Sequence, residues 1–447
     1  MAVSLTGNLF PVINVSAILG LLCLYVWNRR AVSGDVDTAP LTPLRFATAA
    51  YVFWVFSYML TGAPLANLFS FDFLRRDGAL LIAYLPLFII ADFGFDEKFV
   101  KRVLAIFLNL LSAVAVLGAL EFADAQGVPL GLSALPDSLQ FVHYAQLSEF
   151  GFHGLFEAHN AAGAVYALAA CISLALLFYS SGRPRFFSWQ AFWFASTFTG
   201  LALSKSRTAY VAFAGTCAVA FLFDLKRFRR TLRVGLVLLL PLLYVWSLQP
   251  EVSERALSVN DSDDPNIATR FIRYEIALQD FALSPLIGIG FGRYNDNSLS
   301  FSGIENFAYM ATGGEVINES SHAHNSYLHF LAEGGVVGLF LMLGIWVTIY
   351  RWAKRTRDLF AAGSFGNAMC RAVQGCVVLE FLLSFTEHSM GTAVSSLTIL
   401  TMVGLLRNLA ASEVREKTPA ALAYVAGQSK NRVKGLPMLR PGTVHEQ

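Results

Sequence analysis

Apolar residues in this chain come in long blocks separated by shorter polar segments, over nearly its whole length. Blocks of about 20 residues match what a helix needs to cross a bilayer core. The pattern predicts about eleven spans, with cores near 9–27, 46–62, 78–95, 103–121, 160–180, 187–203, 208–224, 234–249, 328–350, 370–386 and 391–407. The fold class that follows is all-α, a polytopic transmembrane helical bundle. Two polar stretches are longer than the rest, roughly 122–159 and 250–327. In the second, Phe271, Tyr274, Leu278 and Phe281 recur at helical spacing between a start signal at Asp264-Pro265 and a stop at Ser284-Pro285. That segment reads as an amphipathic helix lying on the membrane.

Composition agrees. Of 447 residues, 55% are hydrophobic and 14% charged, with mean hydropathy +0.54. A soluble domain carries about 25% charged residues. Cys23, Cys171, Cys217, Cys370 and Cys376 all lie in or beside apolar runs, which argues against a disulfide framework or a cysteine metal site. The first apolar run has no basic segment before it and ends in Arg29-Arg30, which disfavours a cleaved signal peptide.

Charge distribution sets the expected orientation. Basic clusters at Lys226–Arg233 and Arg351–Arg357 mark the cytoplasmic side, and most smaller clusters agree. Both long polar stretches then face outward, and the C-terminus lies inside. Arg75 and Arg76 break the rule, so twelve spans with a hairpin near 63–77 are an alternative. Residues 1–410 form one integral unit on this reading, and 411–447 a flexible cytoplasmic tail. The outer stretch 250–327 holds four arginines against eleven acidic residues. It is therefore no general polyanion surface, and a nucleic-acid partner is not expected.

Several titratable groups stand at span mouths. Arg207 opens one span; burying a guanidinium there requires a partner or water, though interfacial snorkelling explains it equally well. Arg270 and Arg273 are neighbours on the amphipathic helix, where two solvated arginines are the plain alternative. An arginine fork suits a diphosphate because it stays charged and donates several hydrogen bonds. His322 and His324 precede a later span, and either can take a proton from an attacking hydroxyl. The pair lacks an evident third and fourth metal ligand, so metal binding is the weaker reading. Glu333 sits near the membrane edge and needs a partner, an arginine being one option. Glu387 and His388 form a short outer turn, either supporting the site or merely polar. Asn160 suits a helix N-cap, and His143, His153 and His159 read as ordinary loop histidines. The glycines of Gly288–Gly292 lack the strand and helix of a nucleotide loop and suit a tight turn.

Together these residues resemble the O-antigen ligase and polysaccharide polymerase family of bacterial membrane glycosyltransferases. The likeness rests on Ser206-Arg207, then Arg270 with Tyr274 and Ala277-Leu278, then Pro285, Gly288, Gly290 and Gly292. It continues through His324-Asn325, Leu328, Glu333, Gly335 and Gly338, and covers roughly 150–350. Thr208 and Tyr274 depart from the commoner residues of the family. The resemblance implies an enzyme of the bacterial inner membrane, working on its periplasmic face without cofactor, nucleotide sugar or metal. It would transfer a glycan from undecaprenyl diphosphate to an acceptor hydroxyl and invert the anomeric centre. Its catalytic residues would be His324, Arg207 and Arg270, with Arg273, Asn325, Glu333 and His322 binding substrate. The lipid bilayer and other polysaccharide assembly and export proteins would be its partners. Polymerase is the first reading, a ligase acting on lipid A core the second. A transporter of a small anion or glycolipid is the rival class; no inverted repeat supports it.

Overall fold

The computed structural model describes residues 41–60, 95–125, 128–131, 152, 154–156, 159–180, 188–222, 265–294, 322–391 and 393–434. These contain α1 (Leu41–Leu60), α2 (Glu97–Ala125), α3 (His159–Tyr179), α4 (Trp189–Leu203) and α5 (Arg207–Leu222). There follow α6 (Pro265–Leu283), α7 (Ser326–Thr356), α8 (Phe365–Leu383) and α9 (Ala393–Lys434). The fold is all-α, with no strand among the described residues. Among the described residues, four stretches are long and apolar enough to cross a membrane: Glu97–Asp124, His159–Tyr179, Ser326–Leu359 and Ser395–Val414. The predicted spans near 9–27 and 234–249, nearly all of 78–95, and most of both polar stretches lie outside the described residues.

Helix α3 is the axis of the bundle. It packs against α4, α5 and α8 and is buried along most of its length. Its sequence explains this: Ala162, Gly163, Ala167, Ala169 and Ala170 let neighbouring backbones approach closely. Polar side chains then tie helices where no water competes. Ser196 Oγ donates to Ser112 Oγ at 2.6 Å, linking α4 to α2, and Ser173 and Thr197 hydroxyls meet at 3.3 Å, linking α3 to α4. Helix α1 packs on α7, with Trp54 stacked near Phe291 and Phe330.

Two elements differ from the sequence reading. The span expected as one helix over 328–350 is broken at Gly335, whose φ is 60° and ψ −161°. An α-helix would bond the Val336 and Val337 amides to the carbonyls of Ala332 and Glu333. Instead Val336 N–H donates to Pro285 O (2.9 Å) and Val337 N–H to Leu286 O (3.2 Å). The freed carbonyls accept from the turn itself: Ile289 N–H to Ala332 O (2.9 Å) and Gly290 N–H to Glu333 O (3.0 Å). The turn after α6 thus replaces the lost helical bonds, which is what a membrane demands of irregular backbone. A Cβ on Gly288 would lie 2.2 Å from the Glu333 carbonyl carbon, and one on Gly335 2.4 Å from that of Leu286. The second difference is the tail. Helix α9 runs to Lys434, well beyond the span expected at 391–407; alanine and long charged side chains there favour a helix.

Candidate active site

The site forms where the start of α7 meets the end of α8. Ser326 N–H donates to Ser384 O (2.9 Å) and its hydroxyl donates to Glu387 O (3.2 Å). Met390 N–H donates back to Ser326 Oγ at 3.2 Å. These bonds fix the turn carrying Glu387 and His388 beside the turn carrying His322 and His324. Asn325 is the N-cap of α7: its Oδ1 accepts from Leu328 N–H (3.0 Å) and its Nδ2 donates to Phe385 O (2.9 Å). Both ends of this side chain hold the turn, and its second Nδ2 N–H and second Oδ1 lone pair are not accounted for by these two bonds.

Helix α6 brings the arginines. It starts at Pro265 and ends before Ser284, as the sequence signals predict. Ile272, Ile276 and Ala277 seat it in an apolar cluster with Tyr294, Ala323 and Ala332. The opposite face leaves Phe271 and Leu278 exposed, the pattern of a helix against the bilayer surface. Arg270 Nη2 then reaches Glu387 Oε1 at 3.1 Å, while Glu387 Oε2 lies 3.4 Å from His324 Nδ1. One carboxylate therefore joins Arg270 and His324. The pair is partly exposed, 31% at Arg270 and 16% at Glu387. Such pairs add about 0–1 kcal/mol to stability. Its consequence is chemical instead: the carboxylate orients the ring, as in other carboxylate–histidine pairs.

Arg273, one turn on, is half-buried; its Nε makes no hydrogen bond to a described residue, and burial lowers its pKa first among several influences. Its carbonyl accepts from Tyr294 OH at 2.9 Å. His322 Nδ1 accepts from His324 N–H at 3.3 Å. Its pKa is pushed well below the usual histidine range by burial, then by His324, His329 and Arg273. His388 is shifted the same way by burial and the three surrounding histidines.

Glu333 is placed differently from expectation. It is buried, and its partners are the Tyr294 amide (3.1 Å to Oε1) and His329 (Nε2 to Oε2 at 3.4 Å), not an arginine. His329 was missed in the sequence, although its i,i+4 spacing to Glu333 on a helix was a readable signal. Asn160 lies inside the first turn of α3, not at its cap.

Arg207 opens α5 with its side chain exposed. Gly215, eight residues on, faces Leu382 near the end of α8, so α5 packs against α8. The turn before it packs on α3, where Gly163 faces Ser206 and Ser204. His324 (φ 49°) and Lys205 (φ 53°) are the non-glycine residues with left-handed backbone among those described. Such conformations carry about 1–3 kcal/mol each and gather at functional turns. Both sit in turns already singled out by their chemistry.

Residues 190–343 match the O-antigen ligase family. This region is O-antigen ligase-like. The match supports an O-antigen ligase- or polymerase-type function, hence a glycosyltransferase-type enzyme of a bacterial membrane. It spans α4 to the middle of α7 and includes Arg207, Arg270, Arg273, His322, His324, Asn325 and Glu333. Glu387 and His388 lie beyond it and join the O-antigen ligase-like region through space. No curated protein matches the chain.

Proposed function

We propose that this protein is an inner-membrane polysaccharide polymerase. It takes a glycan from undecaprenyl diphosphate and transfers it to an acceptor glycan hydroxyl on the periplasmic face, without metal. The observation that carries this reading is the Glu387 carboxylate shared by Arg270 and His324 at one end of a spanning bundle. With its Nδ1 turned to Glu387, His324 presents its other ring nitrogen to the acceptor hydroxyl and takes its proton. The acceptor oxygen attacks the anomeric carbon, the bond to the diphosphate breaks, and the configuration inverts. Arg270 donates through one Nη to Glu387 and keeps further N–H groups for the diphosphate oxygens. Arg273 and Arg207 supply more positive charge where negative charge develops, which is commonly a large catalytic contribution. His322 and Asn325 hold the His324 turn. Residues 1–410 act as one membrane unit, working with other assembly and export proteins.

The family description favours a second reading, a ligase. Purified protein in nanodiscs, given an undecaprenyl-diphosphate glycan and EDTA, separates the two. Lengthened carrier-linked chains identify a polymerase. Transfer only on addition of lipid A core identifies a ligase and overturns the first reading. No transfer to either acceptor, from a verified donor, overturns both.

A further inference from the structure

Glu380 is a buried carboxyl that the transfer reading leaves unused. It lies in the last turn of α8 and is 0% exposed, with α3, α5, α7 and α9 packed around that helix. Its polar neighbours are serines. Ser395 Oγ, in the first turn of α9, stands 3.3 Å from Glu380 Oε1, and the Ser389 hydroxyl is bonded to the same carboxyl. Glu380 Oε2 is enclosed and makes no hydrogen bond to a described residue. No cation pairs with Glu380 among the described residues. An ionised carboxyl buried with no cation and one bare oxygen is costly, whereas the uncharged acid avoids most of that cost.

The serine protons point the same way. Ser395 Oγ stands 2.9 Å from Ser389 O, and Ser384 Oγ stands 2.7 Å from Glu380 O. A carbonyl oxygen only accepts, and a serine hydroxyl has one proton to give. Ser395 and Ser384 therefore spend their protons on carbonyls. The Ser384 and Ser389 hydroxyls meet at 2.9 Å, which makes Ser389 the donor of that pair and spends its proton as well. These hydroxyls offer Glu380 lone pairs. The carboxyl bonds to them by giving a proton, not by accepting one.

We propose that Glu380 is a positioning residue for transfer: as a carboxylic acid it donates into this serine cluster and so sets the turn on which Glu387 meets Arg270 and His324. Its part in transfer rests on the transferase reading above; its acid form does not. Ser384 begins that turn and Ser389 follows His388 at its far side. The acid ties the Ser389 side to α8 and α9. Ser326 of α7 holds the rest: its N–H donates to Ser384 O, its hydroxyl donates to Glu387 O, and Met390 N–H donates to its Oγ. With the base pinned from three helices, the Glu387 side chain is held between Arg270 and His324. Glu380 touches no substrate atom and acts through Glu387.

Two measurements on the full-length protein in nanodiscs test this. The infrared spectrum at neutral pH should show a carboxylic-acid C=O band that Glu380→Gln removes; identical wild-type and variant spectra in that region overturn the acid form and the proposal with it. Steady-state glycan transfer then tests the positioning role. Glu380→Ala should lower kcat by about tenfold or more with little change in KM. Glu380→Gln, whose amide also donates, should recover most of that rate. In a Glu387→Gln background Glu380→Ala should cost nothing further, because the two residues act as one unit. Wild-type kcat in Glu380→Ala, a loss in Glu380→Gln as large as in Glu380→Ala, or losses that multiply in the double variant each overturn the role. Should Glu380→Ala fail to fold, Ser395→Ala removes the acceptor instead and carries the same expectations for kcat, KM and the double variant. Failure of wild type to transfer overturns the transferase reading and the positioning role together, while the infrared band still decides the acid form.

Discussion

At the scale of single residues, the site turns on one side chain that the sequence left ambiguous. Glu387 reads equally well as a polar turn residue until it is seen between Arg270 and His324. Nothing local announces that residue 270 meets residue 387, because the meeting depends on how α6 lies across the ends of α7 and α8. The His329–Glu333 pair is different: its helical spacing was legible. Glu387→Gln keeps size and a hydrogen-bonding group but loses the charge that orients and supports the imidazole. It should lower kcat by about 10²-fold with little change in KM, measured as steady-state glycan transfer. The buried histidines give a pH prediction. Their folded pKa values lie below the unfolded value near 6.5, so their neutral forms stabilise the fold fully above that pH. That stability is lost as pH falls below about 6.5, where the unfolded chain binds protons that the folded chain does not. Melting temperature should therefore drop between pH 7 and 5, and His388→Gln should flatten the dependence. A wild-type melting temperature independent of pH over that range would contradict this.

At the scale of elements, the positions of the helices among the described residues were legible because about 20 apolar residues and helical periodicity leave few alternatives. The amphipathic α6 was legible from Pro265 and Ser284-Pro285 as well. The break in α7 was not. Gly335 reads as a small residue for close packing and Gly288 as part of a tight turn, and only the structure shows the turn at 285–290 making four backbone hydrogen bonds in place of two of the interrupted helix. The knot ties α6 to Glu333 and so fixes the depth of the arginines relative to α7. Gly288→Ala and Gly335→Ala should each destabilise by about 1–3 kcal/mol or more, read as a lower melting temperature in detergent. Gly375 in α8 has open space around its Cα, and Gly375→Ala should leave melting unchanged or raise it. Equal behaviour of the three variants would mean that the knot is not what holds α7. Asn325→Ala should cost about 1 kcal/mol as a lost N-cap and also slow transfer, since the same turn presents His324.

At the scale of the whole molecule, an all-α bundle gathers the start of α7 and the end of α8, together with α6, at one end. The O-antigen ligase-like region supplies the arginines and His324, and the turn after α8 supplies their common partner. A lipid-carried anion demands this division, because its charge sits at headgroup depth while its chain stays among the spans. The proposed orientation rests on the basic clusters, which predict this end outside. A cysteine at exposed Phe385 should react with a membrane-impermeant reagent added to the periplasmic side, and one at exposed Ala362 should not. The reverse pattern would invert the topology. The most direct test of the account is the initial rate of glycan transfer from undecaprenyl diphosphate, with EDTA present, for wild type, Arg270→Ala and His324→Ala. Turnover by wild type and a loss of about 10²-fold or more in both variants is the predicted result. Wild-type rates in folded Arg270→Ala and His324→Ala would contradict the claim that this arginine and histidine perform the transfer.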